Sequence, residues 1–183
     1  MQKKKEVMLI ARQKKQENIA EYVLYMWQIE DIIRGYQFNL ETIKTNIIEK
    51  FNQPEEVKKD MTDWYDNLIA MMKNEKIEEK GHLKIIKNIT DDMNELHMEL
   101  LQDSKEIQYN AMFFKTLPYL IDFRNKSKAG QETNDVELAL GALYGILILR
   151  LQKREISKDT EQAIKQISIF LAHLAAKHKE DEE

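Results

Sequence analysis

Apolar residues recur along this chain at steps of three and four residues, the spacing of one face of an α-helix. The first predicted helix runs from about Lys15 to Arg34, and Gly35 is placed to end it. Its two apolar faces are formed by Ile19, Tyr22, Val23, Met26 and Ile33 and by Tyr25, Ile29, Ile32 and Tyr36. A helix that is apolar on two sides is expected to pack on two sides.

The next four segments show the same spacing, and capping or helix-breaking residues separate them. Asn39 is placed to cap a short helix, Pro54 to open a third, and Gly81 interrupts the pattern before a fourth. A fifth helix contains Pro118, which has no backbone N–H to donate. The helix must therefore either kink at Pro118 or restart with Thr116 as a new N-cap, and the sequence leaves both open.

The most apolar segment lies near the end of the chain. Asn134 and Asp135 are placed to cap it, and from Val136 to Leu151 it is apolar nearly all round. Such a helix is expected in the middle of a fold, so Asp135 to Lys153 is predicted to be the central helix. The last helix then begins at Ser157 or Asp159.

These patterns predict an all-α fold, a bundle of six to seven helices around a central apolar helix. Residues 1–183 are expected to form a single helical domain, because this length suits one core. Residues 1–11 are expected to be a flexible basic N-terminal arm, and residues 179–183 an acidic tail.

Composition supports long helices and removes some kinds of chemistry. The chain has only 5 glycines and 2 prolines, too few turn residues for hairpins or sandwiches. It has no cysteine, which rules out disulfides, thiolate nucleophiles and cysteine-ligated zinc and fits a cytoplasmic location. The longest apolar stretch, from Val136 to Leu149, contains Glu137 and is too short to cross a membrane, so no membrane partner is expected.

The net charge of −4 is unevenly distributed, with a basic start and an acidic end. A basic arm can bind nucleic acid, but a solvated chain terminus explains the same charges, so nucleic acid is not the favoured partner.

Metal sites in helical bundles need several inward carboxylates and histidines. The chain has one Glu-x-x-His match, from Glu79 to His82, where a di-iron bundle needs two. Glu75 and Glu78 have a spacing used for magnesium, but the carboxylates of the following helix come in the wrong order. No metal and no cofactor is therefore predicted.

Two other features of the pattern call for an explanation. Glu30 shares an apolar face of the first helix, where an unpaired carboxylate costs several kcal/mol, so a partner is expected and Arg34 is the nearest candidate. An internal ion pair is favoured there over a ligand site. Gly141 and Gly145 suggest that another helix approaches closely, either from a second subunit or, as is favoured, from within the chain.

The sequence also resembles an uncharacterised bacterial family known only as a domain of unknown function. The resemblance begins near Met8 and rests on segments such as Glu17 to Tyr22, Tyr25 to Gln28, Glu79 to Leu83, Lys115 to Pro118 and Ala142 to Gly145. It implies a cytoplasmic helical protein, and it supplies no activity and no catalytic residues. It marks the positions to inspect first, which are Trp27, Glu30, His82, Tyr144 and Arg150.

The leading functional hypothesis is a non-enzymatic interaction protein that forms a homodimer, because the helices have surplus apolar surface. The alternative is a small-molecule- or metal-binding bundle, including a hydrolase, which uses Glu30, Arg34, His82 and His97 and needs at least three of them in one pocket. The candidate ligand-binding residues are Trp27, Glu30, Arg34, His82, His97, Tyr144 and Arg150.

Overall fold

The computed structural model describes residues 6–127, 130 and 132–182, with side chains from residue 10 to residue 181 of those ranges. This part of the chain contains eight α-helices, a single 3₁₀ turn and no β-strand, which confirms the all-α bundle. The helices are α1 (Glu6–Glu17), α2 (Ile19–Gly35), α3 (Leu40–Asn46), α4 (Glu55–Asn74), α5 (Lys84–Gln102), α6 (Ile107–Lys126), α7 (Asp135–Leu151) and α8 (Lys158–Glu182). The 3₁₀ turn, Ile48–Lys50, lies between α3 and α4.

The structure has one helix more than the six to seven that the sequence pattern predicts, and the additional helix is α1. Residues 6–11, expected to be part of an arm, are helical, and Ala11 is buried where α1 packs against α4. The helical conformation is interrupted at Asn18, before α2 begins. Lys14 of α1 forms an ion pair with Glu21 of α2 across this interruption (2.7 Å). Residues 1–5 lie outside the described residues, and the flexibility of the arm stays a prediction.

Helix caps follow the sequence closely. The side chain of Asn39 accepts from the N–H of Thr42 (3.0 Å), and that of Asn134 accepts from the N–H of Glu137 (2.8 Å). Each bond satisfies one of the N–H groups that the first turn of a helix leaves open. The structure confirms both predicted caps.

Pro118 lies inside a continuous α6, which answers the question that the sequence left open about this helix. Thr116 is not an N-cap, because it lies within the helix and its hydroxyl donates to the carbonyl of Met112 (3.0 Å). Pro118 cannot donate to the carbonyl of Phe114, so one bond of the ladder is missing there.

The described chain comprises two compact units. The first contains residues 6–17 and 21–88, and the second contains residues 18–20 and 89–182. The core of the first unit includes Val23, Ile33, Ile43, Met61 and Met72. The core of the second includes Met93, Tyr109, Leu140, Phe170 and Leu174. The predicted single domain stays a prediction.

The predicted central helix, α7, packs against α6 and α8 within the second unit. Burial is concentrated in its first half, and its last residue, Leu151, is 67% exposed. The expectation of burial all round is therefore wrong for the second half of α7. The pattern predicts an apolar surface but not how far the neighbouring helices extend along it.

The two glycines of α7 do not mark a close helix approach within the described chain. A β-carbon added at Gly141 would lie 4.0 Å from the nearest atom of Phe123, an ordinary contact, and one added at Gly145 would have no neighbour within 4 Å. The interpretation of this pair as a close contact with another helix of the same chain is therefore wrong at both positions, and the alternative of a second subunit stays a prediction. Glycine lowers helix stability there without serving the packing.

We expect Gly145→Ala to raise the free energy of unfolding by about 0.5–1 kcal/mol, because alanine is the better helix former and its methyl group meets open space. Urea denaturation followed by circular dichroism measures the change. Gly141→Ala is the matched control for helix propensity, because it makes the same substitution on the same helix. A loss of stability at position 145 would reveal a neighbour that a single chain does not provide.

Candidate functional site

Glu30 is a buried carboxylate in the first unit, with 1% of its surface exposed. The Nδ1 atom of His82 lies 2.6 Å from one carboxylate oxygen, and the backbone N–H of Leu83 donates to the other (2.9 Å). Two hydrogen bonds thus replace the water that the carboxylate loses on burial, which is the condition under which a buried charge is tolerated.

The expected pairing of Glu30 with Arg34 is wrong. Arg34 forms an ion pair with Asp31 (2.9 Å) and donates to the carbonyls of Ile77 (3.1 Å) and Gly81. One turn along α2, its long side chain reaches the backbone of the loop between α4 and α5, while Glu30 faces the end of that loop. Spacing within the helix predicted Arg34 as the partner of Glu30, but in the fold the partner is His82.

Trp27 completes the arrangement by stacking on His82. The two ring centroids are 4.3 Å apart and the planes are inclined by 14°. Trp27 is buried, whereas 32% of the His82 side chain is exposed. The imidazole therefore rests on an indole face with Nδ1 held by a carboxylate and part of the ring open to solvent.

The local sequence explains why these side chains meet. Trp27, Glu30 and Arg34 are three and four residues apart on α2, so they share one side of that helix. The opposing loop turns at Gly81, whose φ of 95° lies in a region that favours glycine. At the end of the loop, the carboxylate of Glu75 accepts from the N–H of Lys84 at the start of α5 (2.7 Å). We call Trp27, Glu30, Arg34 and His82 the α2–loop site.

The chemistry open to the α2–loop site follows from the hydrogen bond to Glu30. An ionised carboxylate only accepts, so Nδ1 of His82 is the donor in its hydrogen bond to Glu30. A carboxylate that orients an imidazole in this way also occurs in general-base pairs. In this molecule the same carboxylate and the nearby guanidinium hold loop backbone atoms, so the arrangement fastens the loop to α2.

A metal centre is not assembled in the described residues, where no group of three histidine or acidic side chains is placed to hold an ion. The Glu-x-x-His match is not used as a ligand pair, because His82 turns to Glu30 rather than to Glu79.

His97 belongs to the second unit and is fully buried in an aromatic cluster. Its Nδ1 lies 2.7 Å from the hydroxyl of Tyr109, and its ring packs edge-on against Phe113 and Phe170. Nε2 has no hydrogen-bond partner among the described residues, and the nearest carboxylate oxygen, from Asp135, is 4.0 Å away. Burial lowers the pKa of His97 to about 4, so the ring is neutral at pH 7.

Of the four residues in the alternative hypothesis, Glu30, Arg34 and His82 meet in the first unit, and His97 lies in the second. Tyr144 and Arg150 also belong to the second unit, where Tyr144 is partly buried and Arg150 is exposed on α7. Ligand binding by these residues stays a prediction.

Sequence reasoning missed an exposed apolar face on α6. Ile107, Phe114 and Ile121 are seven residues apart, and they are 72%, 64% and 50% exposed. The exposed residues Ala111 and Pro118 lie between them. We call these five residues the α6 face. The signal was available as a seven-residue repeat, but the stronger repeat of the buried side concealed it.

The described fold defines the class, an all-α helical bundle. The chain belongs to the family described as Domain of unknown function (DUF4924), whose profile matches residues 8–183, and this confirms the resemblance noted in the sequence. No curated protein and no solved structure matches the chain in comparisons of the same kind. Within the described residues, no helix is long and apolar enough to cross a membrane.

We expect Glu30→Ala to lower the free energy of unfolding by about 1–3 kcal/mol, because His82 and the Leu83 N–H lose their buried acceptor. Amide hydrogen exchange at Leu83 should accelerate at the same time. Asp31→Ala is the control on the same helix, and it should change stability by less than about 1 kcal/mol, since its ion pair is exposed. Equal effects of the two substitutions would contradict the role given to Glu30.

We also expect a pH-dependent loss of stability that originates at His97. Its pKa falls from 6.5 to about 4 on folding, so the unfolded chain takes up this proton first as the pH drops. The contribution is fully present above pH 6.5 and is lost towards pH 4, with a maximum of about 3 kcal/mol. Asp135 acts in the opposite sense, because burial raises the pKa of its carboxyl group.

Equilibrium unfolding of the wild type and of His97→Phe between pH 4 and pH 7 isolates this contribution. The free-energy difference between the two proteins should change across that interval and be constant above it. A difference independent of pH would show that His97 is protonated as easily in the folded chain as in the unfolded one.

Proposed function

We propose that this protein is a non-enzymatic interaction protein of the bacterial cytoplasm that acts as a homodimer through the α6 face. The observation that carries the proposal is the exposure of Ile107, Phe114 and Ile121 on one line of a helix. Scattered apolar residues are normal on a protein surface, whereas a contiguous apolar patch marks an interaction site.

The spacing of the α6 face fits a helical partner. Its five residues follow one another at steps of four, three, four and three, which is the spacing of the residues in the seam of a two-stranded coiled coil. The seam lies on the side of α6 opposite the buried Tyr109, Phe113, Thr116 and Leu120, which fasten the helix to its own unit. A second helix can therefore pack along α6 without disturbing the core behind it.

Charges beside the seam favour a second copy of the same chain. Lys115 and Asp122 flank it on one side, seven residues apart and opposite in sign. When two α6 helices run antiparallel about a two-fold axis near Pro118, Lys115 of each copy faces Asp122 of the other. A two-fold interface repeats each contact, so one complementary pair becomes two. Among the described residues, the ion-pair partner of Asp122 is the exposed Lys126, at 2.7 Å.

The rival functions have weaker support. In the α2–loop site the polar atoms of Glu30 and Arg34 hold backbone groups of the loop, so a ligand would have to compete with them. Nucleic-acid binding relies on a basic arm whose first five residues lie outside the described ranges. Farther along, Lys14 is paired with Glu21, and Lys15 lies over the ring of Tyr22.

We expect the wild type to be a dimer at micromolar concentration and Phe114→Glu to be a monomer with an unchanged helical spectrum, because the side chain is exposed in the single chain. Size exclusion with light scattering measures the mass. Leu151→Glu is the matched control, since Leu151 is as exposed as Phe114 but lies on α7. A monomeric wild type, or equal effects of the two substitutions, would refute the α6 interface.

Charge reversal tests the orientation of the two helices. Lys115→Asp or Asp122→Lys alone places like charges opposite each other twice and should raise the dimer dissociation constant about fivefold, at roughly 0.5 kcal/mol per pair. The double variant K115D/D122K should restore the wild-type value. Additive losses in the double variant would exclude the antiparallel arrangement.

A further inference from the structure

The second unit contains a cavity of about 770 Å³ between α6, α7 and α8, apart from the α6 face. Seven apolar side chains line it, contributed by all three helices: Phe123, Ala142, Ile146, Leu149, Ala163, Ile164 and Ile167. Pockets that hold small molecules range from about 300 to 1,000 Å³ and are lined mainly by apolar groups. The cavity therefore has the size and character of a ligand site.

Small residues on two facing helices create this space. Gly145, Ala142 and Ala163 supply little or no side chain at the middle of the cavity wall. Gly145 is exposed, and a β-carbon added there would have no neighbour within 4 Å. Because glycine costs about 1 kcal/mol relative to alanine inside a helix, keeping it beside an open cavity sacrifices stability for room.

The polar lining indicates which ligand the cavity prefers. Ser157 and Thr160 bond to each other (2.9 Å), and Asp122 is paired with Lys126 (2.7 Å). The hydroxyl of Tyr119 accepts from Gln162 (3.3 Å) and keeps its own proton to donate. Asp159, in the first turn of α8, is exposed and has no ion-pair partner among the described residues, so the net charge of the lining is negative.

We propose that this cavity binds a small amphipathic molecule with an apolar body and a cationic amino group. The apolar body lies against Ile146, Ile164 and Ile167, where it loses contact with water. The amino group lies at the polar part of the lining and pairs with the carboxylate of Asp159. The five residues of the α6 face do not line the cavity, but Asp122 borders both, so ligand binding is tested with Asp122 unchanged.

The test compares three probes with the same eight-carbon chain, n-octylamine, n-octanol and octanoate, by isothermal titration calorimetry on the full chain. We expect saturable binding that is tightest for the amine, weaker for the alcohol and weakest for the carboxylate. Asp159→Asn should weaken binding of the amine about two- to fivefold, because the carboxylate is exposed, and leave the alcohol unchanged.

Gly145→Leu places a bulky side chain in the cavity and should weaken binding of all three probes at least tenfold. Because the added side chain meets open space and improves helix propensity, this variant should fold at least as stably as the wild type. Gly141→Ala is the control, a smaller substitution of a glycine that lies one turn away and outside the lining.

Four results would overturn the proposal. One is no saturable binding of any probe at millimolar concentration, and another is binding that Gly145→Leu leaves unchanged. The third is a change of oligomeric mass in Gly145→Leu, which would show that a second copy of the chain occupies the cavity. Tighter binding of octanoate than of octylamine would refute the cationic head group.

Discussion

Burial of apolar helix faces against one another is the interaction on which both units depend. A helix of this length is marginal by itself in water, and it persists because its apolar face is covered. Most of α4 and α8 satisfies this condition, with one side inward and the other solvated. Where the condition is not met within the chain, on the α6 face and beside Gly145, the surface is available to something else.

The same constraint explains the two ways in which polar groups enter the cores. Glu30 lies among apolar residues but keeps a hydrogen bond at each oxygen, so it remains in place and fastens a loop. His97 has one hydrogen-bonded nitrogen and aromatic walls, and it is held neutral instead. A carboxylate fixed by partners ties distant segments together, whereas a neutralised imidazole acts as part of the core.

Local features could be predicted from the sequence because they depend on residues close together in the chain. The periodicity of α2, α4 and α8 and the caps at Asn39 and Asn134 are of this kind. The partner of Glu30 is 52 residues away, so spacing on α2 pointed to Arg34 instead. The exposure of Phe114 and the open space at Gly145 depend on where neighbouring helices end, and no local pattern contains that information.

The second unit uses α6 on three sides. Tyr109, Phe113 and Leu120 bury one side, Tyr119 and Phe123 line the cavity on another, and Ile107, Phe114 and Ile121 remain outside. Pro118 belongs to the α6 face. Because it has no N–H to donate, it interrupts the hydrogen-bond ladder of α6. A molecule in the cavity and a partner on the α6 face would thus act on two adjacent sides of one helix whose backbone ladder is incomplete. If each event shifts α6, linkage requires that a ligand which tightens self-association is itself bound more tightly, by the same factor, in the dimer.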